Sequence, residues 1–397
     1  VLNREEIVAL RHELHQIPEV GLTLPVTQKR IIDILSAEGL EVTVGKAQSS
    51  VTAIVRALNV DRSSPEAVPT LLIRSDMDAL PVVEETGLEW SSQNGAMHAC
   101  GHDCHMAIVV SAAREVQRLR ERLAADVVFF FQPGEEGCGG AQLALEEGLL
   151  DVAGARPIAA LGLHVLAHLL RPGEIATRDG AVLAGSTLVD IAFVGVGGHS
   201  SSPELTRNPI NAAAALVGAV GSALYNGTSM FAPAVLTFGM LCGGHARNII
   251  PESADLSGVI RSFSLEDEAK VQQILRRVAE GVALEHGVEV RVVAKQDTIP
   301  TVTNSGELVL IDEIAKRHGV QVIKLVGPIS ISEDFSWILN EIPGVFLLVG
   351  ARTSDDAHPP SNHSSQATFS DDVLLAAAEL VVAWALGRVE AQEGPRV

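Results

Sequence analysis

The stretch "MHACGHDCHMA", Met97 to Ala107, holds His98, Cys100, His102, Asp103, Cys104 and His105 within eleven residues. Imidazole and thiolate are ligands that zinc, manganese or cobalt accept, in a catalytic or a structural site. A thiol beside an imidazole is also the pair that a cysteine hydrolase uses. Ordinary packing is the remaining reading, and the segment alone leaves all of them open.

"QPGEEG" places Glu135 and Glu136 after the apolar run "DVVFFF". Adjacent carboxylates repel each other. A cation beside one relieves that repulsion and leaves its neighbour to act as a base. "GLHV" sets His164 at the end of another apolar run, and "SDMDALP" carries Asp76 and Asp78. Two residues apart on extended chain, those aspartates point the same way. They suit ligands, orienters of a histidine, or caps. "SEDF", Ser332 to Phe335, and "HSS", His363 to Ser365, add polar groups late in the chain.

Such groups need elements to hold them. The apolar runs "VTAIVRAL", "TLLIRS", "DVVFFFQ" and "AALGLH" read as strands. Helical patterns alternate with them over about 26–38, 105–122 and 140–149. That alternation predicts an α/β layered sheet. Its polar groups fall after strands, where ligand sites of such sheets gather. Asn3 with Glu6 reads as a capping box, followed by Ile7, Leu10 and Leu14 at helical spacing. The middle of the chain reads β-α-β-β-α-β, the ferredoxin-like order. The α/β pattern then resumes with "GVFLLVG" and a helix over about 371–386. The expectation is a catalytic domain over 1–183 and 296–397, interrupted by a smaller α+β domain over 184–295.

A chain of 397 residues suits two domains. Its net charge of −20, with no basic run, excludes nucleic acid or anionic membrane as a partner. No apolar run reaches the length of a membrane span. "VLNREEIVALRHELHQ" lacks a basic segment followed by an apolar one, so a cytoplasmic location is expected. Four cysteines in a chain this long suggest free thiols or metal ligands, not a disulfide framework.

Taken in order, DxDALP, MHACGHDxH, QPxEEG, GLHV, GGH, GGxAxNxIPxxAxxxGxxR, SEDF and a late histidine resemble the amidohydrolase branch of the M20 metallopeptidase family. That branch includes hippurate hydrolases, N-acyl-amino-acid amidohydrolases and auxin-conjugate hydrolases. The resemblance runs from "LRHELHQIPEVGL" to "ATFSDD". It implies an aminopeptidase-like catalytic domain with an inserted lid that commonly dimerises, hence a homodimer or higher homo-oligomer. It implies two divalent ions per chain (Mn²⁺, Zn²⁺, Co²⁺ or Ni²⁺), with Cys100, His102, Glu136, His164 and His363 as ligands. Glu135 matches the general base acting on metal-activated water, and Asp78 the aspartate that supports a ligand. His199 of "GGHSSSP" matches a histidine that approaches the scissile carbonyl, in related enzymes often from the other subunit. Asn248 and Arg261 match lid residues near the substrate. The implied activity is hydrolysis of the amide bond of N-acyl amino acids or related small amides.

This chain departs from the branch at Cys104, where a small residue is common, and at Gly134, where alanine is common. It also departs in "HSSQATF" and after His199. A dipeptidase or a carbamoyl or amidino hydrolase is the alternative within the superfamily. A cysteine hydrolase using Cys100 with His102 or His105, and a non-catalytic ligand-binding protein, are the alternatives outside it.

Overall fold

The computed structural model describes residues 2–64, 68–229, 231, 233–354 and 358–393. They form two compact units. One comprises Val1–Val182, Val302–Gly327 and Asp334–Val397; the other comprises Leu183–Thr301 and Pro328–Glu333. The α/β class with an inserted α+β unit is as the sequence suggests. The strand Glu289–Thr298 crosses the expected boundary near 295, and the inserted unit also takes in a later return segment.

The larger unit is built on a mixed sheet of eight strands among the described residues. Its first six in chain order are β1 (Glu41–Val44), β2 (Val51–Val55), β3 (Thr70–Asp76), β4 (Asp126–Gln132), β5 (Pro157–Leu166) and β6 (Ile175–Thr177). Strands Val322–Lys324 and Gly344–Gly350 complete it. β3 lies between β4 and β5, parallel to both, and Gly344–Gly350 runs parallel on the far side of β5. β3 and β4 are buried along their whole length, as their near-continuous apolar sequences require of strands covered on both faces. Because β3, β4 and β5 are parallel, their carboxyl ends bring Asp76, Gln132 and His164 to one edge.

Helices α1 (Arg4–His15), α2 (Pro25–Ala37), α3 (His102–Arg118) and α4 (Gly140–Glu146) belong to this unit. The Asn3 side chain caps α1 by accepting the Glu5 N–H, while Glu6 meets the Asn3 side chain itself. The expected helix from His105 starts three residues earlier, at His102. Gly101, at φ +84°, turns the chain straight into α3. Its first turn carries polar residues that are buried, so apolar periodicity does not reveal it. A Cβ at Gly101 would run into the Val165 side chain.

α1 also anchors the loop 81–96. Trp90 stacks on His12 with ring centroids 4.0 Å apart, and the Arg11 guanidinium lies 4.8 Å from the Trp90 ring. His15 bonds Asp103 at 2.9 Å and Glu84 at 3.1 Å. Burial pushes the His15 imidazole down, but the carboxylates of Asp103 and Glu84 outweigh it and raise it to about 9. Burial pushes Glu84 up, and bonds from His15, Thr86 and the Ser92 N–H outweigh it and lower it to about 2. Each shift is a stability term. The His15 contribution is full below its ordinary 6.5 and is lost as pH rises through about 9. The Glu84 contribution is full above its ordinary 4.5 and is lost as pH falls through about 2. Urea unfolding from acid to alkali is expected to show both limbs. Glu84→Gln is expected to lower the plateau between them and flatten the acid limb; an unchanged acid limb would remove Glu84 from this account.

Among the described residues the inserted unit is built on a four-stranded antiparallel sheet and two α-helices, α5 (Pro209–Gly227) and α6 (Leu265–His286), with a short two-stranded pair of Gly198–His199 and Ile249–Ile250. The strand order is Val235–Gly243, Ser253–Ser262, Gly185–Val194, Glu289–Thr298, which is the ferredoxin-like arrangement. Asn208 caps α5 and Ser264 caps α6. Val189, Ile191, Phe193, Leu216, Leu256 and Leu275 lie in its core. The edge strand Val235–Gly243 exposes Val235, Met240 and Leu241, and α5 carries no charged residue. No helix among the described residues is long and apolar enough to cross a membrane.

Candidate metal centre

Beyond the carboxyl ends of β3, β4 and β5 the chain gathers a thiol, imidazoles and carboxylates. Cys100 Sγ lies 3.3 Å from His164 Nε2 and 3.2 Å from His363 Nε2. His363 Nε2 lies 3.2 Å from Glu136 Oε1, and that oxygen is 4.0 Å from His102 Nε2. Ligand atoms around one tetrahedral ion at about 2.0–2.3 Å sit roughly 3.3–3.8 Å apart, which is close to this spacing. His102 Nε2 and Glu136 Oε1 are buried with no well-aligned hydrogen-bond partner. Buried acceptors without such partners are rare and call for an explanation. A cation supplies one, and the donor set suits a divalent ion of borderline softness.

The ring nitrogens are oriented for that task. His102 Nδ1 donates to the Asp78 carbonyl at 2.7 Å, and His164 Nδ1 donates to the Val165 carbonyl at 2.8 Å. In the neutral ring each bond keeps the proton on Nδ1 and leaves the Nε2 lone pair to a ligand. Burial and Glu136 push the Cys100 thiol up, against the pull of His102 and His363. Bonds to Cys100 and Glu136 raise the His363 imidazole to about 10.

Asp78 acts through two different groups. Its carbonyl receives His102, while its carboxylate accepts the N–H groups of Glu135 and Glu136, each at 3.1 Å. The side chain therefore fixes the Glu–Glu turn, and its Oδ1 also lies 3.7 Å from His102 Nδ1. Asp76 bonds His105 Nδ1 at 2.6 Å, and His105 Nε2 accepts the Val165 N–H at 2.8 Å. His105 is thus occupied on both sides. Arg74 holds Asp76 from below at 2.7 Å. Burial pushes Asp76 up, but His102, His105 and Arg74 hold it well below the usual carboxylate range. Cys104 is wholly buried in the apolar core. His98 is buried with neither ring nitrogen bonded, and burial lowers it to about 3.

One departure noted in the sequence has a local cause. At Gly134, φ +74°, a Cβ would strike the Leu22 side chain and come within 3.1 Å of the Cys138 Cβ. His363 has φ +72°, the one positive value among the described non-glycine residues, and its N–H bonds the Ala99 carbonyl at 2.9 Å. Beside it, the Asn362 amide bonds the carbonyls of Cys100 and Val165. Nothing in the sequence singles out Asn362, because one amide in a loop has no spacing to mark it.

The inserted unit carries the remaining sequence-selected residues. His199 Nδ1 accepts the Ser201 N–H at 3.1 Å, so its proton is on Nε2. Asn248 is exposed, and its carbonyl accepts the Ser200 N–H. Arg261 lies on Ser253–Ser262 with Nη1 buried and unbonded.

The model of the peptidase family M20/M25/M40 matches residues 72–386. An N-acetyldiaminopimelate deacetylase of Streptococcus pneumoniae (strain 70585) is 34% identical over 358 residues, covering 89% of this chain and 93% of the relative. One of Leuconostoc citreum (strain KM20) is 31% identical over 395 residues, covering 99% of each. The Bacillus subtilis YXEP protein, described as a dinuclear metal binding peptidase from the M20 family, superposes with a TM-score of 0.83. It is 28% identical, over 98% of this chain and 99% of that one. With this match across most of its length and the cluster of thiol, imidazole and carboxylate groups where the parallel strands end, the chain belongs to the peptidase family M20/M25/M40.

Proposed function

We propose that the chain hydrolyses the amide bond of N-acyl amino acids at a dinuclear metal centre held by Cys100, His102, Glu136, His164 and His363. Its membership of the family and its deacetylase relatives make it a metal-dependent amide hydrolase. The N-acyl amino acid is the finer step. The observation that carries the metal assignment is the convergence of five ligand-type side chains, with His102 Nε2 buried and without a hydrogen-bond partner.

Two divalent ions bound there would polarise the amide carbonyl and acidify a water from ~15.7 toward ~7. Glu135 takes the proton of the attacking water and returns it to the departing amine nitrogen. Asp78 keeps Glu135 and Glu136 in register by holding both backbone N–H groups. His199 donates its Nε2 proton to the developing oxyanion. Asn248 contacts the substrate, and Arg261 takes its carboxylate, a match for the unbonded buried Nη1. An acetylated amino acid is the first compound to try, since the relatives named above are deacetylases.

The exposed apolar edge strand and the uncharged α5 support a homodimer through the inserted unit. A thiol ligand suits a reducing compartment, so the location proposed is the cytoplasm. The cysteine-hydrolase alternative finds less support, because burial raises the Cys100 thiol where an activated nucleophile needs it lowered.

The test is metal content. Stripped and reloaded wild type is expected to hold two ions per chain by elemental analysis, with Glu136→Ala holding fewer. Chelation is expected to abolish cleavage of N-acetyl amino acids, and reloading to restore it. Wild type that takes up no ion, or activity that survives chelation, would end the proposal.

A further inference from the structure

We propose that Asn362 is the positioning residue that assembles the Cys100, His164 and His363 side of the metal centre. The inference rests on the dinuclear reading above and adds a residue outside its ligand set. Asn362 Nδ2 donates to the Cys100 carbonyl at 3.2 Å and to the Val165 carbonyl at 3.1 Å. Its Oδ1 accepts the Ala167 N–H at 3.0 Å. The same Nδ2 lies 3.9 Å from Cys100 Sγ. One side chain thereby joins three segments that are distant in sequence: the turn of Cys100, the end of β5 with His164, and the loop of His363.

The chemistry of the contacts selects an amide. Two carbonyls demand two donors and one N–H demands an acceptor, so a single orientation of the amide satisfies all three. A carboxylate would set an anion against two carbonyl oxygens. An aliphatic side chain of similar size would leave the Cys100 carbonyl and the Ala167 N–H without this partner and the Val165 carbonyl with one bond instead of two. The Val165 carbonyl already takes the His164 Nδ1 proton, and its second lone pair takes Asn362. The bond that fixes the tautomer of one ligand thus shares its acceptor with the clamp.

The backbone of the next residue needs the clamp. His363 is in the left-handed region, which a side chain with a Cβ seldom adopts unless its surroundings fix it. Its own N–H bond to Ala99 holds one side and Asn362 holds the other. Released from Asn362, the loop is free to relax toward ordinary φ, and that rotation carries the His363 ring away from Cys100 Sγ.

The experiment compares wild type with Asn362→Leu and Asn362→Asp, full-length and reloaded with Co²⁺. Read-outs are ion affinity by chelator competition, the thiolate-to-Co²⁺ charge-transfer absorption, the melting temperature of the metal-free protein, and kcat and KM. Removing such a supporting partner typically weakens metal binding by about 10–100-fold. That loss is expected in both variants, with an altered charge-transfer band, and with kcat recovering in excess metal at unchanged KM. Ion affinity and absorption equal to wild type, whatever happens to the melting temperature, would reduce Asn362 to a structural contact. A wild type that binds no ion would remove the dinuclear reading and this inference together, whereas unchanged variants beside a two-ion wild type would remove this inference alone.

Discussion

Glu135→Gln is expected to lower kcat by about 10²–10⁴-fold, the usual contribution of a positioned acid–base group, while ion content stays at wild-type level. Glutamine has the same shape but cannot accept the proton of water. The turn that carries it is fixed through backbone N–H groups by Asp78, so the substitution leaves the fixing bonds in place. Glu136→Gln is the contrasting variant, because there the loss begins with the ions. Initial rates on a cleaved N-acetyl amino acid, with elemental analysis of the same samples, separate the two. A Glu135→Gln enzyme with near-wild-type kcat would move the base elsewhere.

Arg74→Met is expected to destabilise the fold by about 3–5 kcal/mol, the range for removing one partner of a buried ion pair. The guanidinium has no solvent exposure and lies 2.7 Å from Asp76 and 3.0 Å from Asp334. It also donates to Gln132 at 2.9 Å. Its loss leaves two carboxylates in a dry space without their cation. Adding Asp334→Asn is expected to recover part of the loss, since neighbours in one network are not additive. Urea unfolding of the single and double variants measures this. A single-variant loss below about 1 kcal/mol, outside the range for a buried pair, would show that Arg74 is not what neutralises the two aspartates.

The polar ends of apolar strands were the legible part of this protein. "DVVFFFQPGEEG" and "AALGLHV" name both a strand and what it presents, and the chain places Gln132 and His164 where parallel strands end. The ferredoxin-like order of the inserted unit was readable for a related reason: long alternating strands and a 22-residue helix have unmistakable periods. The start of α3 was not readable, because His102, Asp103 and His105 are buried polar residues that break the apolar pattern. The division of labour within Asp78 was also hidden, since no sequence shows which of its carbonyl and carboxylate faces a histidine. Arg74 lies within an apolar strand, and nothing in "TLLIRS" announces that its charge is answered by an aspartate 260 positions away. Networks that close over such distances leave no local period to read.

The meeting of Leu22 and Gly134 has a consequence for how this sequence can vary. The space a Cβ at position 134 would need is already filled by the Leu22 side chain. The two positions are therefore coupled: an alanine at 134 requires the Leu22 side chain to move aside or become smaller. The left-handed backbone at Gly134 would still penalise it there. A one-residue-at-a-time library would test alanine at 134 only against Leu22 and miss the exchange. Only paired substitutions would uncover it.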